Sequence, residues 1–396
     1  MASYKIGNIK IIRNLDDREE RLIVSSEHIS ESLELIKGHN FKSISIGGSY
    51  NLSDIDFLKE CPNIEKLFMK GENIRNLEGL SHLVNLKILA MNDLNKKVKL
   101  DLGNLSSLEE IYGELPTRAT GLSNLKNLKW MQIWGYNPIS KTFTELGEIE
   151  NLEVLHLIQA QIESFEGIGQ FKKLQELDLY GLNKLTDISD IWLLRSSLRL
   201  LTMENCKKIE DFKPIGSLGN LEWLILRACG SMESIAFTKG LPKLKGFDFT
   251  NTNVEDGDLS YCQRITTVHF TQKMHYSHKR KDLTNLKIEN IPIPTLQWRE
   301  RMEDGDDMFT IENISAVEKA LYDFLAKMQK LKENAASKKK LEYVKEIVLK
   351  FNDLNEQYDY FIETTEREEL VEYILSVAEL AGLETKKDIT EEWREW

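Results

Sequence analysis

A chain of 396 residues is too long for one ordinary hydrophobic core, so more than one structural unit is expected. Its 41% hydrophobic and 29% charged content excludes a disordered chain, and no apolar run approaches the ~18 residues a membrane span needs. A net charge of −12 argues against nonspecific nucleic-acid binding, which uses Lys and Arg to displace counterions from phosphates.

The opening segment, MASYKIGNIKIIRNLDDREE, interrupts its apolar positions with Lys5, Lys10 and Arg13, so no signal-peptide core is expected. The closing EEWREW carries no sorting or lipidation signal, and the two ends together predict a cytoplasmic protein. Residues 1–40 read as an N-terminal cap, with alternating strands at 4–12 and 22–24 and a helix at 30–37 closed by Gly38.

Residues 41–271 are periodic. The pattern L-x-x-L-x-L recurs with its first apolar residue at Phe41, Ile64, Leu86, Leu108, Leu128, Leu152, Leu174, Leu198, Leu221, Leu244 and Ile265, at spacings of 20 to 24 residues. The fourth and sixth positions, such as Leu67 and Met69, Leu155 and Leu157, or Leu224 and Leu226, alternate as a strand with one buried face requires. Ile74, Leu77, Leu80 and Leu83 carry the apolar ladder through the return segment. A unit this short cannot bury its apolar face alone, so the repeats are expected to stack around a shared core. The repeat from Leu108 breaks the pattern, with Gly113 at an inward position and Pro116 soon after, which predicts a local irregularity.

These units resemble the short class of leucine-rich repeats, about 22 residues long, as in internalins and the phosphatase-regulatory repeat proteins. The resemblance implies an α/β leucine-rich-repeat solenoid with a curved parallel sheet of about eleven repeats, followed here by an α-helical C-terminal domain. It also implies partner recognition on the concave face while leaving the partner open, since such repeats bind very different molecules. Internalins are secreted or wall-anchored; neither signal is read here, so an invasin role is not expected.

All four cysteines fall in the repeats. Cys206 and Cys229 take the ninth position, where the resemblance places a buried Asn or Cys bonded to the loop backbone. Cys61 and Cys262 stand in the parallel strings CPNI and CQRI. All are expected to be small buried thiols, and with no C-x-x-C pair neither a zinc nor a redox site is predicted. Some bacterial leucine-rich-repeat proteins are cysteine-dependent ubiquitin ligases with the nucleophile in a helical C-terminal domain, but that region has no cysteine here.

By the same resemblance, strand positions three, five and seven face outward on the concave sheet. Position three supplies Trp130, Val154, Leu200 and Trp223; position five supplies Phe68, Tyr112, His156, Ile225 and His269; position seven supplies Trp134, Ile158, Tyr180 and Arg227. Glu110, Glu176, Asp178, Glu204 and Asp248 surround them. Large aromatics on an open sheet cost solubility unless something covers them, and Trp, Tyr and Arg dominate protein interfaces. The candidate protein-binding residues are therefore Phe68, Tyr112, Trp130, Trp134, His156, Ile158, Tyr180, Trp223, Ile225, Arg227 and His269. A partner, the chain's own terminal domain or a second copy could cover them.

Residues 272–308 read as a linker with a closing strand near Leu286, Ile288, Ile291 and Ile293, broken by Pro292 and Pro294. His269, His275 and His278 lie close together, yet an H-x-x-H pair needs a third ligand and a buried surround, and the KRKD that comes next predicts a solvated loop. Glu303, Asp304, Asp306 and Asp307 lack calcium-loop spacing. Residues 309–396 turn helical: Ile314, Val317, Leu321, Phe324 and Met328 share a face, as do Leu341, Val344, Ile347, Val348 and Phe351. A third helix is expected to open with the capping box Thr365-x-x-Glu368 and to end at Gly382. From Asp353 onward 14 acidic and 4 basic residues leave a balance of −10. The composition of the helical region 309–396 is similar to that of tails found on bacterial immunity-type proteins.

No phosphate-binding glycine loop, nucleophile elbow or H-E-x-x-H is present, so no catalysis, cofactor or metal is predicted. The expected function is protein–protein recognition on the concave face, with a protein partner and neither nucleic acid nor membrane. A bacterial immunity or inhibitor protein, or a subunit of a defence system, is one form of it. The competing reading is an enzyme or effector in the helical domain with the repeats as its substrate reader, which predicts a pocket of convergent ionisable residues among the helices.

Overall fold

A computed structural model describes residues 2–13, 19–283, 291, 293–303, 306, 308–331, 335–383 and 388–396. The chain divides into two compact units, 1–278 and 279–396.

The first unit opens with an antiparallel meander of β1 (Ala2–Ile6), β2 (Ile9–Arg13) and β3 (Glu20–Val24). The strand expected over 4–12 is a hairpin instead, because Gly7 turns the chain at φ +58°, a conformation open to glycine without a Cβ penalty. Helix α1 (Ile29–His39) runs through Gly38 and ends on a left-handed Asn40 at φ 53°. A short polar side chain tolerates that backbone, so Asn40 closes the helix that Gly38 was expected to close.

Six strands come next: β4 (Ser43–Ile46), β5 (Lys66–Lys70), β6 (Ile88–Asn92), β7 (Lys99–Asp101), β8 (Glu110–Glu114) and β9 (Arg118–Thr120). The regular centre is β10 (Trp130–Trp134), β11 (Val154–Ile158), β12 (Glu176–Tyr180), β13 (Leu200–Glu204) and β14 (Trp223–Arg227). Then come β15 (Ser231–Met232), β16 (Gly246–Asp248), β17 (Asn253–Val254) and β18 (Thr267–His269). Among the described residues fourteen strands form one sheet, while β7 with β9 and β15 with β17 form two small parallel pairs beside it. Eleven parallel strands of the large sheet (β4–β6, β8, β10–β14, β16 and β18) match the eleven sequence repeats one for one.

Alternation explains the packing. Leu67, Leu155, Leu157, Leu177, Leu179, Leu224 and Leu226 are fully buried, while their outward neighbours are half-buried or exposed. Each buried leucine contributes about 1.5–3 kcal/mol, and stacking lets adjacent repeats share that burial. Short 3-10 turns such as Glu78–His82 and Lys213–Ser217 return the chain, with Ile74, Leu80 and Leu83 inside. Just before the strands, Asn85, Asn127, Asn151 and Asn220 each donate a side-chain N–H to a carbonyl of the preceding repeat at 2.7–2.9 Å.

All four cysteines are free and buried, as their positions predict. The Cys206 and Cys229 thiols approach the carbonyls of Leu179 at 3.6 Å and Met203 at 3.1 Å. Burial pushes the Cys61 thiol up to about 11 and that of Cys262 up to about 12.

The irregular repeat is present. Gly113 holds φ +101°, and a Cβ there would stand 1.9 Å from the Met91 carbonyl oxygen, so glycine lets β8 close against β6. At the far end of this unit Phe270 stacks on Phe249 at 5.2 Å, and the Tyr276 hydroxyl accepts the Val254 N–H at 3.1 Å.

The second unit comprises α2 (Arg280–Leu283), α3 (Thr295–Glu303), α4 (Ile311–Gln329), α5 (Ser337–Gln357) and α6 (Thr364–Leu380). Helix α3 occupies part of the expected linker. Pro294 leads into it, since proline's fixed φ suits a helix start. Trp298 anchors it, fully buried, stacked on Phe309 at 5.3 Å and donating its indole N–H to Glu369 at 2.5 Å. Of the expected closing strand, Leu286, Ile288 and Pro292 lie outside the described residues. The capping box of α6 is Glu363 with Glu366, two residues earlier than the expected Thr365 with Glu368. A carboxylate at that end gains from the helix dipole, and Arg301 pairs with Glu366 at 2.7 Å. Ile314, Val317, Leu321 and Phe324 pack with Val344, Val348, Phe351, Leu370, Ile374 and Val377 in one apolar core. Among the described residues no helix is long and apolar enough to cross a membrane.

Candidate functional site

Parallel register lines the outward side chains up in rows across the first unit's sheet. One row runs Glu110, Trp130, Val154, Glu176, Leu200, Trp223 and Gly246. The next runs Tyr112, Gln132, His156, Asp178, Thr202, Ile225, Asp248 and His269. The third runs Glu114, Trp134, Ile158, Tyr180, Glu204 and Arg227. Neighbouring strands lie about 4.8 Å apart, so residues adjacent in a row form a continuous surface.

Nine of the eleven candidate residues come together on the strands from β8 to β14: Tyr112, Trp130, Trp134, His156, Ile158, Tyr180, Trp223, Ile225 and Arg227. Phe68 stands apart on β5, its ring covered by the Arg21 guanidinium at 3.3 Å. His269 lies on β18, beyond Asp248.

Exposure divides the aromatics. Trp134 is 36% exposed, Tyr180 44% and Trp223 45%. Trp130 is half-buried, its ring 5.0 Å from His156 and 6.5 Å from Tyr112. Its indole N–H is sheltered and has no acceptor among the described residues. Trp223 lies over Gly246, where a Cβ would stand 2.1 Å from the indole. Glycine at 246 therefore clears the place where this indole rests, a role sequence inspection missed.

The polar groups are mostly paired. Arg227 donates to Asp248 at 2.8 and 2.9 Å and to Glu204 at 3.3 Å. His156 bonds Glu176 at 2.8 Å. The Tyr112 hydroxyl donates to Glu110 at 2.6 Å, and burial with that bond holds the phenol well above its usual range. Asp178 differs: burial raises its pKa, the nearby Glu204 and Glu176 raise it further, and His156 opposes them.

A second feature was not anticipated. Beside Trp134, the irregular repeat leaves a cleft of about 450 Å³ whose walls include Leu115, Pro116, Tyr136, Pro138, Gln159 and Gln161. The departure at Gly113 and Pro116 was its sequence signal.

The histidines after β18 do not converge. His275 bonds the Val254 carbonyl at 2.8 Å, and His278 reaches Gln263 at 2.9 Å and Ser277 at 2.8 Å. Among the described residues no group of three or more His, Cys, Asp or Glu is placed to hold a metal ion. In the acidic segment Asp306 pairs with Arg301 at 3.0 Å, while the side chain of Glu303 and residues 304, 305 and 307 lie outside the described residues.

One strand per L-x-x-L-x-L unit, with the fourth and sixth positions facing the core through eleven successive parallel strands, decides the architecture. The first unit is a leucine-rich-repeat solenoid. No family model matches the chain. The disease resistance protein RPH8A of Arabidopsis thaliana is 25% identical over a match of 246 residues that covers 57% of this chain and 27% of that protein. Adenylate cyclase of Schizosaccharomyces pombe is 24% identical over 86% of this chain and 19% of the cyclase. The chain thus spans about a quarter or less of the curated relatives' length in these matches. An internalin, inlF, from Listeria monocytogenes is 19% identical with a TM-score of 0.45, covering 61% of this chain and 71% of that one.

Proposed function

We propose that this protein is a recognition protein without catalysis of its own, which holds a protein partner on the concave face of its repeats. In this reading residues 41–271 are the reader, 1–40 cap it, and the C-terminal helical unit adds a second contact. The observation that carries it is the exposure of Trp134, Tyr180 and Trp223 on the alternate strands β10, β12 and β14, with Ile158 on β11 between the first two and Ile225 beside Trp223 on β14. Aromatic anchors of this kind contribute about 2 kcal/mol or more each when a partner covers them.

The name of the Arabidopsis relative favours a defence setting. An immunity or inhibitor protein that covers a toxin, or a subunit of a defence system, is the form we favour, working in the cytoplasm. The net charge of −12 speaks against nucleic acid or an anionic membrane as the partner.

The rival reading, an enzyme or effector in the helical unit, has less support. Its ionisable groups Arg301 with Glu366 and Arg299 with Glu318 pair with one another, and the helices meet through apolar faces. The cyclase match adds little, because it spans only 19% of that protein.

Affinity capture from the native lysate on the full chain, read by mass spectrometry, tests the proposal. A protein retained by the wild type and lost on the double variant Trp134→Ala/Trp223→Ala is the expected result. Equal retention on both would overturn it.

A further inference from the structure

We infer that the partner meets this face with a basic side chain, lysine or arginine, set among apolar residues and seated on Asp178; the inference rests on the recognition reading above. Asp178 is at the middle position of β12, level with His156 on one side and Thr202 on the other. Three acidic neighbours are satisfied: Glu176 bonds His156, and Glu204 and Asp248 share Arg227. Asp178 is half-buried and has no ion-pair partner among the described residues.

An apolar partner surface laid over this sheet would strip the remaining water from that carboxylate and leave it unpaired, which is costly. A cation delivered with the apolar surface turns the same burial into a favourable, oriented contact. The surroundings suit such a group. Tyr180 flanks Asp178 on its own strand, Ile158 and Trp134 continue the row on one side, and Leu200 and Trp223 lie on the other. Aromatic faces also attract ammonium and guanidinium groups.

Other occupants fit poorly. A second copy brings a net charge of −12, and the stretch from Asp353 onward carries 14 acidic against 4 basic residues, so both would place like charge against Glu176, Asp178 and Glu204.

Selection of a random-peptide phage library on the immobilised full chain supplies the probe. Clones that fail on Trp134→Ala/Trp223→Ala should carry Lys or Arg beside an aromatic or aliphatic residue. Their synthetic peptides should bind Asp178→Asn about tenfold or more weakly, retain binding to Asp178→Glu, and weaken as salt is raised. Clones that need both tryptophans yet bind Asp178→Asn as tightly as wild type overturn this inference and leave the recognition reading intact. Clones indifferent to the tryptophan substitutions, or no clones at all, overturn both.

Discussion

At Gly246 the absence of a side chain decides where an indole rests. A Cβ there would collide with the Trp223 ring at 2.1 Å, so Gly246→Ala should lift Trp223 off the neighbouring strand. The expected outcome is a shifted tryptophan emission and weaker partner binding with the far-UV circular dichroism unchanged. Gly113 is a backbone matter. Its φ of +101° and a clash of 1.9 Å with the Met91 carbonyl predict that Gly113→Ala costs about 2 kcal/mol or more, read as a lower urea midpoint. Asp178 works in the opposite direction. Its folded pKa is raised, by burial first and then by Glu204 and Glu176, so its ionised form is disfavoured in the folded state. That penalty is full above the folded pKa and vanishes below the unfolded one. Asp178→Asn should therefore raise the thermal midpoint at neutral pH while it lowers affinity, whereas a fall in the midpoint would contradict the assignment.

Within the elements, strands and helices differ in how much their sequence disclosed. The parallel strands of this solenoid bury their fourth and sixth repeat positions eleven times over, and L-x-x-L-x-L fixes the register and which side chains face outward. Helix ends have no such redundancy. Thr365 and Glu368 have the spacing of a capping box, but Glu363 and Glu366 have it too, and Arg301 from α3 pairs with Glu366, a partner 65 residues away that local spacing cannot reveal. Helix α3 was hidden for a similar reason: Pro292 and Pro294 read as breakers, and the burial of Trp298 depends on Phe309 and Phe361. On the sheet, the pattern gave Trp134, Tyr180 and Trp223 their outward direction. It could not show that Arg21 covers Phe68, since that contact joins β3 to β5.

The fork between Arg299 and Glu318, at 2.9 and 2.7 Å, ties α3 to α4 and holds the Glu318 carboxyl below its usual range. A folded value below the unfolded one means that this pairing stabilises the helical unit above the ordinary carboxylate range. The contribution is then lost as the pH falls through the folded value. Glu318→Gln should cost about 1 kcal/mol at neutral pH and nothing in acid, measured by urea titration of the helical signal.

For the molecule as a whole, charge and exposure point the same way. The chain carries −12 overall, its outward sheet presents carboxylates among aromatics, and only Arg227 supplies a fixed cation on the outward positions of β10–β14. Repeats contact their neighbours in series, so such a face extends across many strands while each strand contributes only two or three side chains. That geometry favours a partner surface over a small substrate.

Oxidative footprinting of the full chain, alone and with the captured partner, shows whether the outward sheet is the face the partner covers. The free chain should be labelled at Trp134, Tyr180, Trp223 and also Trp192, which is 44% exposed on a return turn away from the strands. Partner binding should protect the first three and leave Trp192 labelled. Protection of Trp192 with Trp134 and Trp223 still fully oxidised would place the partner away from the sheet and overturn the proposed binding face.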